Sequence, residues 1–285
     1  MTDALSIASL LSAARKQLAS NLSAPHAENA KLDAELLLCH CLQKSRTWLY
    51  TWPEKTLTDS QQSLFQSLIE RRANGEPLAY LTGVREFWSQ SFEVTSDTLI
   101  PRPDTETLVE HCLKKLKVSN GPFLDLGTGS GVIAICIAIE RPDIEVYATD
   151  SSDAALKIAT ANASRLNAKI NFNQSDWFED IATTAFSVIA SNPPYIAADD
   201  PHLQSGGLSY EPISALRSCD NGFGDITAII NEAPAYLRTG GWLLLEHGHS
   251  QGRQTRDTML ERGFRQVTTK QDLSGNDRVT FGQKV

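Results

Sequence analysis

The sequence predicts an α/β protein, a parallel sheet flanked by helices, preceded by a small all-α bundle. Two observations carry this reading. Up to about Gly83 every apolar pattern has helical period, with Ile7, Leu11, Ala14 and Leu18 on one face, Leu32, Leu36 and Cys39 on another, and Leu64, Phe65, Leu68 and Ile69 on a third. Beyond about Asp104 short apolar strands alternate with helices. The clearest unit is Phe123-Leu124-Asp125-Leu126, then Gly127-Thr128-Gly129-Ser130-Gly131, then an apolar helix opened by Val132.

The bulk properties set limits. At 285 residues the chain predicts two domains. Apolar and charged fractions of 41% and 21% are ordinary for a globular protein, and a net charge of −8 argues against a chain built mainly to grip nucleic-acid backbone. Five cysteines, an odd set without paired metal spacing, read as reduced thiols. With no basic segment ahead of an apolar core and no long apolar run, the expectation is a cytoplasmic, non-membrane protein.

In chain order, Asp59 is expected to start the third helix of the bundle, and Gly75-Glu76-Pro77 to end it. Arg71 and Arg72 read as a solvated helix end. The aromatic stretch Arg85 to Val94 predicts a hairpin, and Pro101-Arg102-Pro103-Asp104 breaks the chain before a helix carrying Leu108, Val109, Cys112 and Leu116 inward. The predicted organisation is a bundle at 1–83, a hairpin linker at 84–103 and an α/β domain at 104–285. Arg102 reads as an ion pair inside the linker ahead of a ligand contact.

Glycines after a strand let ligand and backbone approach closely, and the following helix offers free N–H groups. The next strand, Glu145 to Thr149, ends in Asp150, about 20 residues past the glycines, where a carboxylate accepts from ribose hydroxyls; it reads equally as an N-cap. The spacing is G-x-G-x-G rather than the dinucleotide G-x-G-x-x-G, and Asp125 just before it disfavours phosphate and favours a ligand bearing an amine or a cation. A third strand, Ile170 to Gln174, leads to Ser175-Asp176-Trp177-Phe178, where an acid could meet an exocyclic amine and Trp177 either covers a ring or fills core.

The buried run Phe186 to Ala190 then leads into Ser191-Asn192-Pro193-Pro194-Tyr195. Two prolines cannot join a sheet ladder, so the segment leaves the strand as a stiff loop at its carboxyl end, where open α/β sheets bind ligands. It offers the amide of Asn192, a proline carbonyl and the ring of Tyr195, groups that suit a small planar NH2. The stretch from Ile196 to Asn221 is long for a connection and reads as a clamp beside the site. Pro234 is expected to kink or shorten the helix after it, and His247 and His249 read as structural or solvated.

With these blocks in place the chain resembles a class I S-adenosylmethionine-dependent methyltransferase, and more closely the bacterial peptide chain release factor glutamine methyltransferases of the PrmC/HemK family. The similarity runs through Tyr80 to Gly83, Arg85 to Trp88, Pro101 to Glu106, Asp125 to Gly131, Ser175 to Phe178, Asn192 to Tyr195, Glu211-Pro212 with Ala215-Leu216, Leu243 to Gly248 and Asn276 to Val279. Asn-Pro-Pro-Tyr alone is shared with adenine methyltransferases, so a nucleic-acid exocyclic-amine methyltransferase is the alternative. The resemblance implies a Rossmann-like, mostly parallel seven-stranded sheet with an antiparallel C-terminal strand. It further implies S-adenosylmethionine at Gly127, Thr128, Gly129, Ser130, Gly131, Asp150, Trp177 and Asn192. Asn192, Pro193 and Tyr195 would be catalytic, and Asn192 to Tyr195 would hold a release factor glutamine. A class 1 release factor is the implied partner, and a monomer without direct nucleic-acid contact is expected.

Overall fold

The computed structural model describes residues 5–22, 26–182, 185–204 and 206–285. The chain divides into two units, Met1–Gly83 and Val84–Val285.

The first unit is helical. It comprises α1 (Ile7–Asn21), α2 (Ala30–Leu42), α3 (Arg46–Thr51), α4 (Asp59–Ala73) and α5 (Leu78–Thr82). The helix expected from Asp59 is thus the fourth, and its cap is Thr58, whose hydroxyl accepts from the N–H of Gln61 while the Gln61 side chain accepts from the N–H of Thr58. Ile7, Leu10, Ala14 and Leu18 of α1 meet Ala34, Leu37 and Leu38 of α2 and Phe65, Leu68 and Ile69 of α4 in one core.

The face predicted for α2 is wrong: Leu32 is exposed and Leu36 and Cys39 are only half-buried, whereas Asp33 and Glu35 point inward. The reason is long-range pairing. Arg72 Nε donates to Asp33 Oδ2 at 2.7 Å, and Arg46 and Tyr50 donate to Glu35. Inward acids reset a periodicity read from leucines alone. Arg72 is correspondingly buried rather than solvated, while Arg71 pairs with Glu76 at the surface. Leu64, also expected inside, is exposed.

The second unit begins with the hairpin β1 (Val84–Phe87) and β2 (Gln90–Glu93), whose Phe87 and Phe92 sink into the core under one face of the main sheet. After α6 (Glu106–Val118) come β3 (Phe123–Leu126), α7 (Val132–Glu140), β4 (Val146–Asp150), α8 (Asp153–Arg165), β5 (Asn171–Gln174) and β6 (Phe186–Ser191). The long connection that follows is folded, with the short pair β7 (Ile196–Ala197) and β8 (Arg217–Ser218), several 3₁₀ turns and a single turn, α9 (Cys219–Gly222). The chain closes with α10 (Gly224–Tyr236), β9 (Leu237–Glu246), α11 (Gly252–Glu261), β10 (Arg265–Gln271) and β11 (Asp277–Gln283). Pro234 sits in the last turn of α10 and does not shorten it.

The main sheet has seven strands in the order β10-β11-β9-β6-β3-β4-β5. Every pairing from β9 to β5 is parallel, and β11 alone runs against its neighbours β9 and β10. β3 and β6 are buried at every position, as strands covered on both faces must be. The chain runs outward from β3 to β5 and then returns to place β6 on the other side of β3. That reversal opens a crevice at the carboxyl ends of β3 and β6. Among the described residues no helix is long and apolar enough to cross a membrane.

Removing the acid of the buried pair in the bundle strands a guanidinium away from water. Asp33→Ala is expected to cost about 3–5 kcal/mol in urea unfolding, while Leu64→Ala at the surface stays within about 0.5 kcal/mol.

Candidate functional site

The turn after β3 is left-handed backbone that only glycine adopts at ease, with Gly127, Gly129 and Gly131 at φ 69°, 55° and 87°. Asp125 braces it from inside: its Oδ2 accepts from the Thr128 hydroxyl at 2.6 Å and from the N–H of Ala134, in the first turn of α7, at 3.2 Å. The side chain is fully buried and takes no part in lining the cavity above, so the direct repulsion of phosphate expected of it is replaced by a bracing role. Burial pushes its carboxyl up to about 7; the bonds from Thr128 and Ala134 oppose this, and the charge of Asp150 adds to it. Gly131 does not line the cavity either. A Cβ there would meet Ile135 and the α8 backbone at Ala159, so the glycine serves helix packing.

The cavity over the turn has a volume of about 340 Å³, in the range of small-ligand sites. Gly127, Thr128, Gly129 and Ser130 form its floor, and Asp150, Trp177 and Asn192 stand around it. Asp150 accepts from the N–H of Gly129 at 2.8 Å and of Ser152 at 2.9 Å. It is not the cap of α8: that is Ser152, whose hydroxyl accepts from Ala155. Two backbone bonds leave a carboxylate with lone pairs for two more donors. Burial raises the Asp150 pKa, and those two bonds hold it back.

Trp177 is half-buried wall rather than core. It sits at φ 45°, a strained setting for a bulky residue, with its ring over Gly127 and its Nε1 donating to Asp225 at 3.2 Å. Asp176 and Ser175 border the same side. A glycine floor, a carboxylate with spare acceptor capacity, an aromatic plane and a neighbouring acid together fit a nucleoside with two ribose hydroxyls and an amino-bearing base.

The Asn192 to Tyr195 loop leaves β6 beside the turn. Ser191 Oγ donates to the Leu126 carbonyl at 2.7 Å, which locks the ends of the two strands together. Gln251 then fastens the far end, its Nε2 donating to the carbonyls of Tyr195 at 3.2 Å and Gly222 at 3.0 Å, while its Oε1 accepts from the N–H of Gly248 at 2.8 Å. Gly222, at φ 84°, lies against the Tyr195 carbonyl where no Cβ fits. Among the described residues nothing donates to the Pro193 carbonyl. Burial, with the charge of Glu246 added, pushes the Tyr195 phenol up to about 12, so the ring is neutral.

A second cavity, about 70 Å³, lies on the other side of Asn192. Pro193, Tyr195, Ile196, Leu208 and Leu216 give it apolar walls, while Leu99, Arg102, Asn192 and Ala215 border both cavities. Pro194 faces the larger one. Arg102 does form an ion pair, but its partner is Glu211 in the long connection, and Glu211 also accepts from the N–H of Ile100 at 3.0 Å. These two bonds carry the 196–221 segment across the site. Leu99, Asp225 and Thr105, whose hydroxyl accepts from Asn192 Nδ2 at 3.4 Å, carried no sequence signal because their partners are remote in the chain. His247 is buried and neutral, bonded to the Gly248 carbonyl and the Thr280 hydroxyl, whereas His249 is exposed.

Comparison with known proteins adds a second line. Residues 10–83 match the PrmC N-terminal domain and residues 102–205 the methyltransferase small domain. The chain is 46% identical to the release factor glutamine methyltransferase of Aliivibrio fischeri over 284 residues, 99% of this chain and 98% of that one. It is 47% identical to that of Escherichia coli over 257 residues, 90% and 93% of the two chains. Solved structures are similar in fold: a Pyrococcus furiosus methyltransferase at TM-score 0.52 and 17% identity, covering 75% of this chain and 96% of that one, and a Thermus thermophilus 16S rRNA methyltransferase at TM-score 0.50 and 20% identity, covering 71% and 50%.

Asp125 makes the site a source of pH-dependent stability. A carboxyl whose pKa is raised on folding binds its proton more tightly in the native state, so its contribution is full below about pH 4 and lost as pH rises through about 7. Asp125→Asn is therefore expected to gain stability relative to the parent between pH 5 and 7, by at most about 1.4 kcal/mol per pH unit, in paired urea titrations.

Proposed function

The chain belongs to the release factor glutamine methyltransferase family, and on that premise we propose that it transfers a methyl group from S-adenosylmethionine to the side-chain amide nitrogen of the glutamine in the Gly-Gly-Gln motif of class 1 release factors, supporting translation termination. The observation that carries the chemistry is the position of Asn192, whose carboxamide borders both a nucleoside-sized cavity and a small apolar-walled one.

S-adenosylmethionine, when bound, supplies an electrophilic methyl group. Gly127 to Ser130, Asp150, Trp177 and Asn192 would hold it, with Asp150 accepting from the ribose hydroxyls and Trp177 covering a ring. Gly131 supports the same loop through packing.

The glutamine side chain would enter the smaller cavity along Pro193 and Tyr195, with Pro194 on the side of the larger one. An amide nitrogen is a poor nucleophile because its lone pair is delocalised into the carbonyl. Asn192 Oδ1 and the Pro193 carbonyl accept its two N–H bonds, and Tyr195 stacks on the amide plane and keeps water out. Both acceptors gain strength as positive charge grows on the nitrogen, which is electrostatic preorganisation. Fixing the reacting atoms within about 3–3.5 Å of one another supplies much of the remaining barrier reduction. No general base is required, since the methylated, protonated amide is a strong acid that loses its proton to Asn192 or to water.

We further propose that the bundle at 1–83 recognises the release factor, that the hairpin segment at 84–103 links it to the catalytic domain at 104–285, and that the enzyme acts as a cytoplasmic monomer without direct contact to nucleic acid. The adenine exocyclic amine presents the same planar NH2, which makes nucleic acid the natural competing substrate.

Offered purified release factor, DNA and RNA together with labelled cofactor, the protein is expected to label the release factor alone; label on nucleic acid would replace the reading. In the same assay Asn192→Ala is expected to lower kcat on the order of 10²–10³-fold with cofactor affinity changed far less. Deleting residues 1–83 is expected to raise KM for whole release factor more than for a short glutamine peptide, and equal effects would remove the bundle from recognition.

A further inference from the structure

Beneath the acceptor loop the fold buries a carboxylate that the chemistry above leaves unused. Glu246 ends β9 at 1% exposure, after the apolar run Trp242 to Leu245, and among the described residues neither of its oxygens meets a donor in full hydrogen-bond geometry. Its strand pairs with β6 at Ser191, the residue before Asn192, and with β11 at Val279. An acid kept unpaired in such a place is costly, and an apolar side chain would fit the strand better.

Its polar surroundings are those of the site. The Thr105 hydroxyl, Tyr195, Arg102, Asp104 and Arg278 act on it, with Arg278 itself paired to Asp104 and Asp272. Thr105 accepts from Asn192 Nδ2. A hydroxyl that accepts from one neighbour has its own proton to give, and an ionised carboxylate only accepts.

We propose that Glu246 is a positioning residue for methyl transfer: by drawing the Thr105 O–H toward itself it holds the Thr105 oxygen as an acceptor for Asn192 Nδ2, and so turns Asn192 Oδ1 toward the substrate amide. The inference rests on the reading of Asn192 as an acceptor. A free carboxamide has two nearly isosteric orientations, and the wrong one sets an NH2 against an NH2. Burial pushes the Glu246 carboxyl up to about 7, with Asp104 adding to this and Thr105, Arg278 and Arg102 opposing it. Once protonated, Glu246 can donate to Thr105, whose proton then turns toward Asn192 and favours the unproductive orientation. Activity supported in this way is present above about pH 7 and declines below it.

The test compares the full-length parent with Glu246→Leu and Glu246→Gln for methylation of purified release factor from pH 6 to 8.5, alongside calorimetric cofactor binding and urea unfolding. Leu removes the acceptor, and kcat is expected to fall about 10²-fold, the loss that follows a misplacement of about 1 Å, with cofactor Kd and stability retained. Gln still accepts through its amide oxygen, so it should keep most of the parent's kcat at pH 8 and lose the decline below pH 7. A Leu variant as fast as the parent overturns the inference. So does one whose cofactor affinity and stability fall in step with kcat, or a Gln variant that keeps the acidic limb. A parent inactive on release factor overturns the functional reading itself, an outcome separate from these.

Discussion

The parallel pairing of β3 with β6, closed at its end by the Ser191 hydroxyl on the Leu126 carbonyl, sets the spacing on which the site depends. One strand delivers the glycine turn and the other the Asn192 to Tyr195 loop, and they emerge side by side because the chain reverses its direction of travel across the sheet at this point. Both strands are wholly buried, so a slip by one residue would exchange the side chains packed on their two faces. The cavity over the glycine turn is therefore bordered by Asn192 as well.

Two buried acids lie close to that pairing. Asp125 lies under one loop and Glu246 under the other, each inside the sheet and each held near neutrality by burial. The first has two donors and stiffens the glycine turn; the second lacks them and leans on the hydroxyl that also holds Asn192. Polar groups inside a sheet edge act over short distances with little screening, so small changes in their protonation are felt by the loops directly above them.

The local parts of this arrangement were legible in the sequence. Glycines between an apolar strand and an apolar helix, and two prolines after a buried run, constrain the backbone through their own covalent geometry and leave few alternatives. What could not be read depends on residues far apart in the chain. The inward face of α2 is decided by Arg72 reaching Asp33, 39 residues away, and Trp177 becomes a wall through Asp225, 48 residues on. Arg102 was expected to find its acid nearby but meets Glu211 across 109 residues, and with that bond come Leu99, Leu208 and Ala215 as walls of the cavities. Asp125 was read as facing the ligand because a strand pattern does not say which side chains a loop above it will cover.

The clamp that Gln251 places on Tyr195 and Gly222 bears on how many times the enzyme can act on one nitrogen. A loop fastened at both ends presents its acceptors at a set separation and cannot splay to admit a bulkier group. Under the proposed pairing a carboxamide engages both acceptors, whereas its product has a single N–H and a methyl where the other hydrogen was. Rebinding would press that methyl against an oxygen lone pair and leave it unsatisfied, at a cost of about 1–3 kcal/mol. Under that pairing, rigidity at Tyr195 would give the reaction a built-in stop after the first substitution.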